Sequence, residues 1–115
     1  MNKLTSEKTI QTIQKEVDEY IGQFKEGYFP PFEMLARMTE ELGELAREVQ
    51  HVHGMKKKKS SEAAKSLEEE LGDLLFVLVC FANAEKIDMQ RAHDRVMDKF
   101  KLRDKNRWTL KEDQL

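Results

Sequence analysis

The sequence predicts an all-α, four-helix bundle-like fold, on three observations. Apolar residues recur at three- and four-residue spacing through four stretches of the chain. No stretch alternates convincingly with period two, as a half-buried strand would. Only two prolines and five glycines interrupt 115 residues, so little of the chain is reserved for turns. That length fits one domain over residues 1–115, with room for a single core.

The first helix is predicted from Ile10, Ile13, Val17, Ile21 and Phe24, with Thr5 or Ser6 as its N-cap. Gly27 and Pro30-Pro31 end it, and Pro31 suits the first turn of the next helix. The second helix carries Leu35, Met38, Leu42, Leu45, Val49 and Val52 on one stripe and stops at Gly54. Met55 to Ser60 reads as a basic surface loop holding Lys56 to Lys59. The third helix starts near Ser60, Ser61 or Ser66. Beyond Asp73 it is apolar on nearly every side, the pattern of the central, most buried helix. Asn83 to Ile87 breaks the pattern, and Asp88 caps a fourth helix expected to bury Met89, Ala92, Val96 and Phe100, with His93 at the core's border. From about residue 108 the tail is expected to fray. An apolar third helix in so small a bundle needs covering, so a dimer is expected, with the stripes of helices one and two free to pack between chains.

Composition excludes several function classes. The formal net charge is −2, which offers no general field for nucleic acid. One cysteine, Cys80, cannot form an intrachain disulfide or a cysteine-based metal site; set in an apolar run, it reads as a buried, inert thiol. That run is too short to span a bilayer, and the N-terminus lacks the apolar core of a signal peptide. A cytoplasmic location with no membrane partner is the expectation.

The chemistry lies in a repeat. Glu40-Glu41-Leu42-Gly43-Glu44-Leu45 returns as Glu69-Glu70-Leu71-Gly72-Asp73-Leu74, each copy inside a helical pattern. Acids at i and i+3 share one side of a helix. At about 100° per residue, Glu41 and Glu70 fall at the edge of their apolar stripes, and Glu44 and Asp73 farther round the same flank. Glu40 and Glu69 fall near the solvated side. Acids beside apolar stripes often do no more than solvate a helix edge. Here the pattern recurs, and Gly43 and Gly72 each cost roughly 1 kcal/mol relative to Ala within a helix, a cost that a close helix or ligand approach would explain. Four carboxylates converging between two helices repel unless a cation joins them. An all-oxygen set without His or Cys selects Mg2+, with Mn2+ as a substitute, over softer metals. A di-iron bundle site would require Glu-x-x-His, which is absent.

The paired motif Glu40-Glu41-x-x-Glu44 and Glu70-x-x-Asp73 resembles the signature of MazG-like nucleotide pyrophosphohydrolases, of the all-α NTP pyrophosphatase superfamily. The likeness spans roughly Ile13 to Trp108 as a single MazG-type unit. Lys99-Phe100-x-x-Arg103 and Asn106-Arg107-Trp108 resemble the basic end of the family's last helix. The resemblance implies hydrolysis of a nucleoside triphosphate to the monophosphate and pyrophosphate, with a housecleaning role in nucleotide pools. It implies Glu41, Glu44, Glu70 and Asp73 as the catalytic Mg2+ ligands, with Lys99 and Arg103 holding phosphates, and a homodimer or homotetramer. It places His51, with His53, toward the nucleobase; Tyr28, Phe29 and Trp108 are the aromatic candidates for stacking. From spacing alone, Lys99 and Arg103 read equally as a solvated flank, and the histidines and aromatics as packing or exposure. Two other functions stay open: a non-catalytic helical dimerisation or regulatory module, and a pyrophosphohydrolase acting on another nucleotide, such as a phosphoribosyl intermediate.

Overall fold

The computed structural model describes residues 7–54 and 66–112. Four helices follow one another, α1 (Ile10–Gly22), α2 (Pro31–His53), α3 (Leu67–Ala84) and α4 (Met89–Arg103), and no strand occurs among the described residues. The all-α expectation holds.

Local chemistry sets the boundaries. Thr9, not Thr5 or Ser6, caps α1: its hydroxyl accepts the Thr12 N–H at 3.1 Å, and the two expected caps lie outside the described residues. The helix closes at Gly22, earlier than Gly27, which adopts φ 65° in the following turn, a conformation that favours glycine. Pro31 opens α2 as expected, and Gly54 ends it. Of the three serines expected at the start of α3, Ser66 does the work. Its hydroxyl accepts the Glu69 N–H at 3.0 Å, and its own N–H donates to the Glu69 carboxylate at 3.3 Å, a reciprocal capping box. Ser60, Ser61 and the expected lysine loop lie outside the described residues. Asp88 caps α4 by accepting the N–H groups of Gln90 and Arg91.

The core is built where α3 lies between α1 and α2. Val17, Met34, Val79 and Cys80 form its buried centre, with Ile13, Ile21, Tyr28, Phe81, Ala84 and Met89 packed around them. Met34 near Val79 and Cys80 at one end, and Glu41 and Glu44 near Glu70 at the other, set α2 antiparallel to α3. Burial pushes the Cys80 thiol pKa up, consistent with an inert side chain. A polar knot ties α1 to the α3–α4 turn. The Gln14 amide donates to Asn83 Oδ1 and to the Ile87 carbonyl, and accepts the Met89 N–H. Asn83 in turn donates to the Gln14 carbonyl and to the Tyr28 hydroxyl.

Three packing expectations need correction. No residue of α4 is buried: Met89 is half-covered, Ala92 is exposed, Val96 and Phe100 are 39% and 37% exposed, and His93 faces solvent. The cause is placement, since α4 packs on α1 and not along α2 or α3. Apolar surface is left open on α2, as expected, and on α3, whereas of the stripe expected on the first helix only Phe24 is exposed. Val17 of α1 is buried, while Leu35, Leu42 and Val49 of α2 and Leu71, Leu75 and Leu78 of α3 are exposed. Finally, Gly43 and Gly72 have no neighbour within 4 Å of where a Cβ would stand, so no helix of the same chain presses on either.

The chain therefore stays open. Its radius of gyration is 18.4 Å, against about 13 Å for a compact domain of this length. Its accessible surface is 10085 Å2, against about 6,500 Å2 for a compact chain of its mass.

Candidate metal and nucleotide site

The acidic repeats meet across the α2–α3 seam. Glu41, Glu44 and Glu70 each bring a carboxylate oxygen within 4.8 Å of the others. Glu70 is buried, Glu41 half-buried and Glu44 exposed, the inner-to-outer order expected from their positions on the two helices. Asp73, half-buried one turn beyond Glu70, is close enough for its charge to act on Glu41 but is not part of that trio. The neighbours diverge: Glu40 is exposed, and Glu69 is turned back to cap its own helix.

Repulsion and burial outweigh attraction at Glu41. Burial raises the Glu41 pKa, a hydrogen bond shared with Glu44 and the charges of Glu44 and Asp73 raise it further, and Arg37, one turn earlier, pulls it down. Glu41 Oε2 is buried with no hydrogen-bond partner. A proton can relieve such a group, and so can a cation; oxygen donors at this spacing suit a hard divalent ion. The residues present fit Mg2+.

The other expected residues lie farther out. Lys99 and Arg103 project from one side of α4, both over the Phe100 ring, at 5.2 and 4.5 Å from its centroid. The Arg103 guanidinium also makes two hydrogen bonds to Asp104, at 2.8 and 3.1 Å. Because α4 does not run along α2 or α3, the chain does not gather these cations with its own carboxylates. His51 is tucked against Glu48, Nδ1 lying 3.7 Å from the carboxylate, while His53 is exposed. Trp108 is 65% exposed under the Arg107 guanidinium.

Beside the carboxylates, a cavity of about 280 Å3 is lined by Tyr20, Tyr28, Phe29, Arg37, Phe76 and Val77, among others. Arg37 lies one turn before Glu41, and Val77 one turn after Asp73, so the cavity and the acids share both helices. Tyr28, whose hydroxyl donates to Asp18 at 2.7 Å, and Phe29 stand in its wall; Trp108 does not. Sequence reasoning passed over Arg37, Tyr20, Phe76 and the buried acid Glu48. Glu48 was findable, since it sits seven residues after Glu41 and four after Glu44, on the same side. The cavity was not findable, because it depends on how α1 meets α3.

Comparison with known proteins places this geometry. Residues 29–108 match the model of the MazG nucleotide pyrophosphohydrolase domain. The chain is 66% identical over 108 residues to YpjD of Bacillus subtilis (strain 168), covering 94% of this chain and 97% of the relative. It superposes on the crystal structure of B. subtilis YpjD with a TM-score of 0.75, over 84% of this chain and 98% of that one. A second crystal structure, of a Bacillus-conserved MazG protein that is a nucleotide pyrophosphohydrolase, is 51% identical, with a TM-score of 0.73 over 95% of this chain and 99% of that one. No helix among the described residues is long and apolar enough to cross a membrane. With paired acidic helices, an aromatic-lined cavity on the same helices and these matches in agreement, the chain belongs to the MazG nucleotide pyrophosphohydrolase family and is an enzyme of that kind.

Proposed function

We propose that this enzyme hydrolyses a nucleoside triphosphate to the monophosphate and pyrophosphate in the cytoplasm, as one domain per chain in a homodimer, with Mg2+ held by Glu41, Glu44, Glu70 and Asp73. The observation that carries the reading is the convergence of three carboxylate oxygens within 4.8 Å across two helices. A triphosphate carries about four negative charges, and the bound metal would neutralise part of that charge and polarise the phosphoryl oxygens. The chain's own residues do the positioning. A carboxylate of the cluster accepts a hydrogen bond from the attacking water and aims it at the α-phosphorus. The aromatic cavity, with Tyr28 and Phe29 in its wall, takes the base. The uncovered leucines of α2 and α3, and a surface some thousands of Å2 larger than a compact chain of this mass exposes, support the dimer.

The test is a panel of nucleoside triphosphates, regular and modified, incubated with pure protein with and without Mg2+. Monophosphate and pyrophosphate should appear in equal amounts, and only with the metal. Release of inorganic phosphate instead, or no pyrophosphate from any member, rejects the reading.

A further inference from the structure

The geometry points to Arg37 as the residue that selects the base: from the wall of the aromatic cavity its guanidinium donates hydrogen bonds to a ring carbonyl oxygen, so the enzyme favours 6-oxopurine and 4-oxopyrimidine nucleotides over their amino counterparts. The inference rests on the triphosphate reading and on the cavity taking the base. It adds which bases are preferred and by which contact.

Three observations carry it. First, the aromatic walls hold a base without choosing one. Tyr20, Phe29 and Phe76 line the cavity, and all three are exposed. Tyr20 meets Phe76 edge-on, with centroids 6.3 Å apart and planes at 73°, so the two rings are not stacked on each other. Stacking on such rings is open to any base, because every base has a π-face. Discrimination between bases must come from hydrogen bonds.

Second, the cavity presents donors and few acceptors. Its polar side chains are Tyr20, Tyr28, Arg37 and Cys80, and no carboxylate or carboxamide stands among the described residues that line it. The Tyr28 hydroxyl is already engaged, donating to Asp18 at 2.7 Å and accepting from Asn83 at 3.0 Å. The Cys80 thiol is buried and stays protonated, which leaves it a weak donor. The Tyr20 hydroxyl serves either way, so it favours neither class of base. An exocyclic amine needs an acceptor, the part that Glu, Asp, Asn or Gln plays where proteins read cytosine or adenine. A carbonyl needs a donor, and Arg37 brings N–H groups in a planar fork.

Third, Arg37 is placed for the base and is not tied elsewhere. Met34, Arg37, Glu41 and Glu44 fall at i, i+3, i+7 and i+10, on one side of α2. Arg37 lines the cavity, and Glu41, about 6 Å farther along the helix, begins the carboxylate cluster. A base and then its phosphates lie in that same order along a nucleotide. Arg37 pulls on Glu41 through charge and not through a hydrogen bond. No hydrogen bond or ion pair among the described residues engages its guanidinium, so its donors are open to a ligand.

Matched pairs of nucleotides test it: inosine against adenosine triphosphate, and uridine against cytidine triphosphate. Each pair exchanges one carbonyl for one amine at the same ring position. Wild type should show kcat/KM roughly tenfold or more higher for the oxo member of each pair. Arg37→Met keeps much of the aliphatic stem and removes the donors, while Arg37→Gln puts an acceptor beside a donor. Circular dichroism and analytical ultracentrifugation check that both variants fold and assemble as wild type does. Each should bring both ratios to within about twofold of one, with the loss falling on the oxo members. Wild-type ratios near one overturn the inference, and so do ratios that survive both substitutions. An equal loss on all four nucleotides also overturns it, and assigns Arg37 to the phosphates. A second readout does not depend on turnover. In titration calorimetry, wild type should bind inosine monophosphate more tightly than adenosine monophosphate by a similar factor, and Arg37→Met should bind the two alike; equal binding by wild type overturns the contact. Failure of the triphosphate reading is distinct, since it shows as a wild type that prefers inosine monophosphate yet releases pyrophosphate from no triphosphate.

Discussion

The α2–α3 seam and the face of α4 are built from the same materials and finish in opposite states. Both combine an apolar stripe with charges spaced three or four residues apart. In the seam, the chain covers its own apolar residues: Val79 is 1% exposed and Met34 3%. The charge beside them is negative, and Glu70 is taken down to 3% exposure. On α4 nothing is buried, and the charge beside Val96 and Phe100 is positive. The difference teaches that an amphipathic pattern states what must be covered, not what covers it.

The contrast within the seam breaks first at its acids. Glu70→Gln should lower turnover by roughly 100-fold or more, and also abolish the rise in melting temperature that Mg2+ binding should give the wild type. Glu69→Gln should stay within about twofold, since glutamine also serves at the third position of a capping box. Steady-state kinetics and thermal melts with and without Mg2+ read both. Equal losses at the two positions would erase the distinction between the inner and outer acid.

Packing gives the next effect. Val79→Ala should cost about 2 kcal/mol, by an amount independent of protein concentration. Phe100→Ala should show a loss that grows with protein concentration and fades on dilution, because it acts on association. Urea melts at two concentrations a hundredfold apart separate them. A smaller effect belongs to the seam's entry: Ser66→Ala removes the α3 cap and should cost about 1 kcal/mol, seen in the same melts with turnover under saturating substrate retained.

The smallest effect is spectroscopic. Burial, then the hydrogen bond to Asp18, push the Tyr28 phenol pKa up to about 12, against an ordinary 10.0. A raised phenol pKa means that the fold favours the neutral ring. This contribution is complete below pH 10 and is lost as pH climbs toward 12. Phenolate absorbance should show Tyr28 ionising near pH 12, and Asp18→Asn should bring that step down. An unchanged step would remove Asp18 from the cause.

How much of this was legible in the sequence follows from the range of each interaction. The helices, Pro31 at the start of α2, Gly54 at its end and the Asp88 cap were readable, because each depends on a few adjacent residues. The carboxylate cluster was readable because a repeated motif on two antiparallel helices brings like positions together. Burial in α4 was misread, since Val96 and Phe100 keep core spacing yet are left 39% and 37% exposed. At Gly43 and Gly72 nothing among the described residues comes within 4 Å of a Cβ position, so of the two expected reasons for these glycines, a close helix or a close ligand, packing within the chain is not the one. The cavity formed by Tyr20, Tyr28 and Phe76 was invisible, as it arises from the way α1 meets α3.

The reciprocal bonds between Ser66 and Glu69 have a consequence for how the enzyme tolerates change. They start the third helix from inside its own first turn, so the rotational phase of Glu70 and Asp73 is fixed locally. Insertions or deletions upstream of that serine leave both carboxylates pointing in the same direction. Changes of length ahead of this helix are thereby uncoupled from the direction of its two acids.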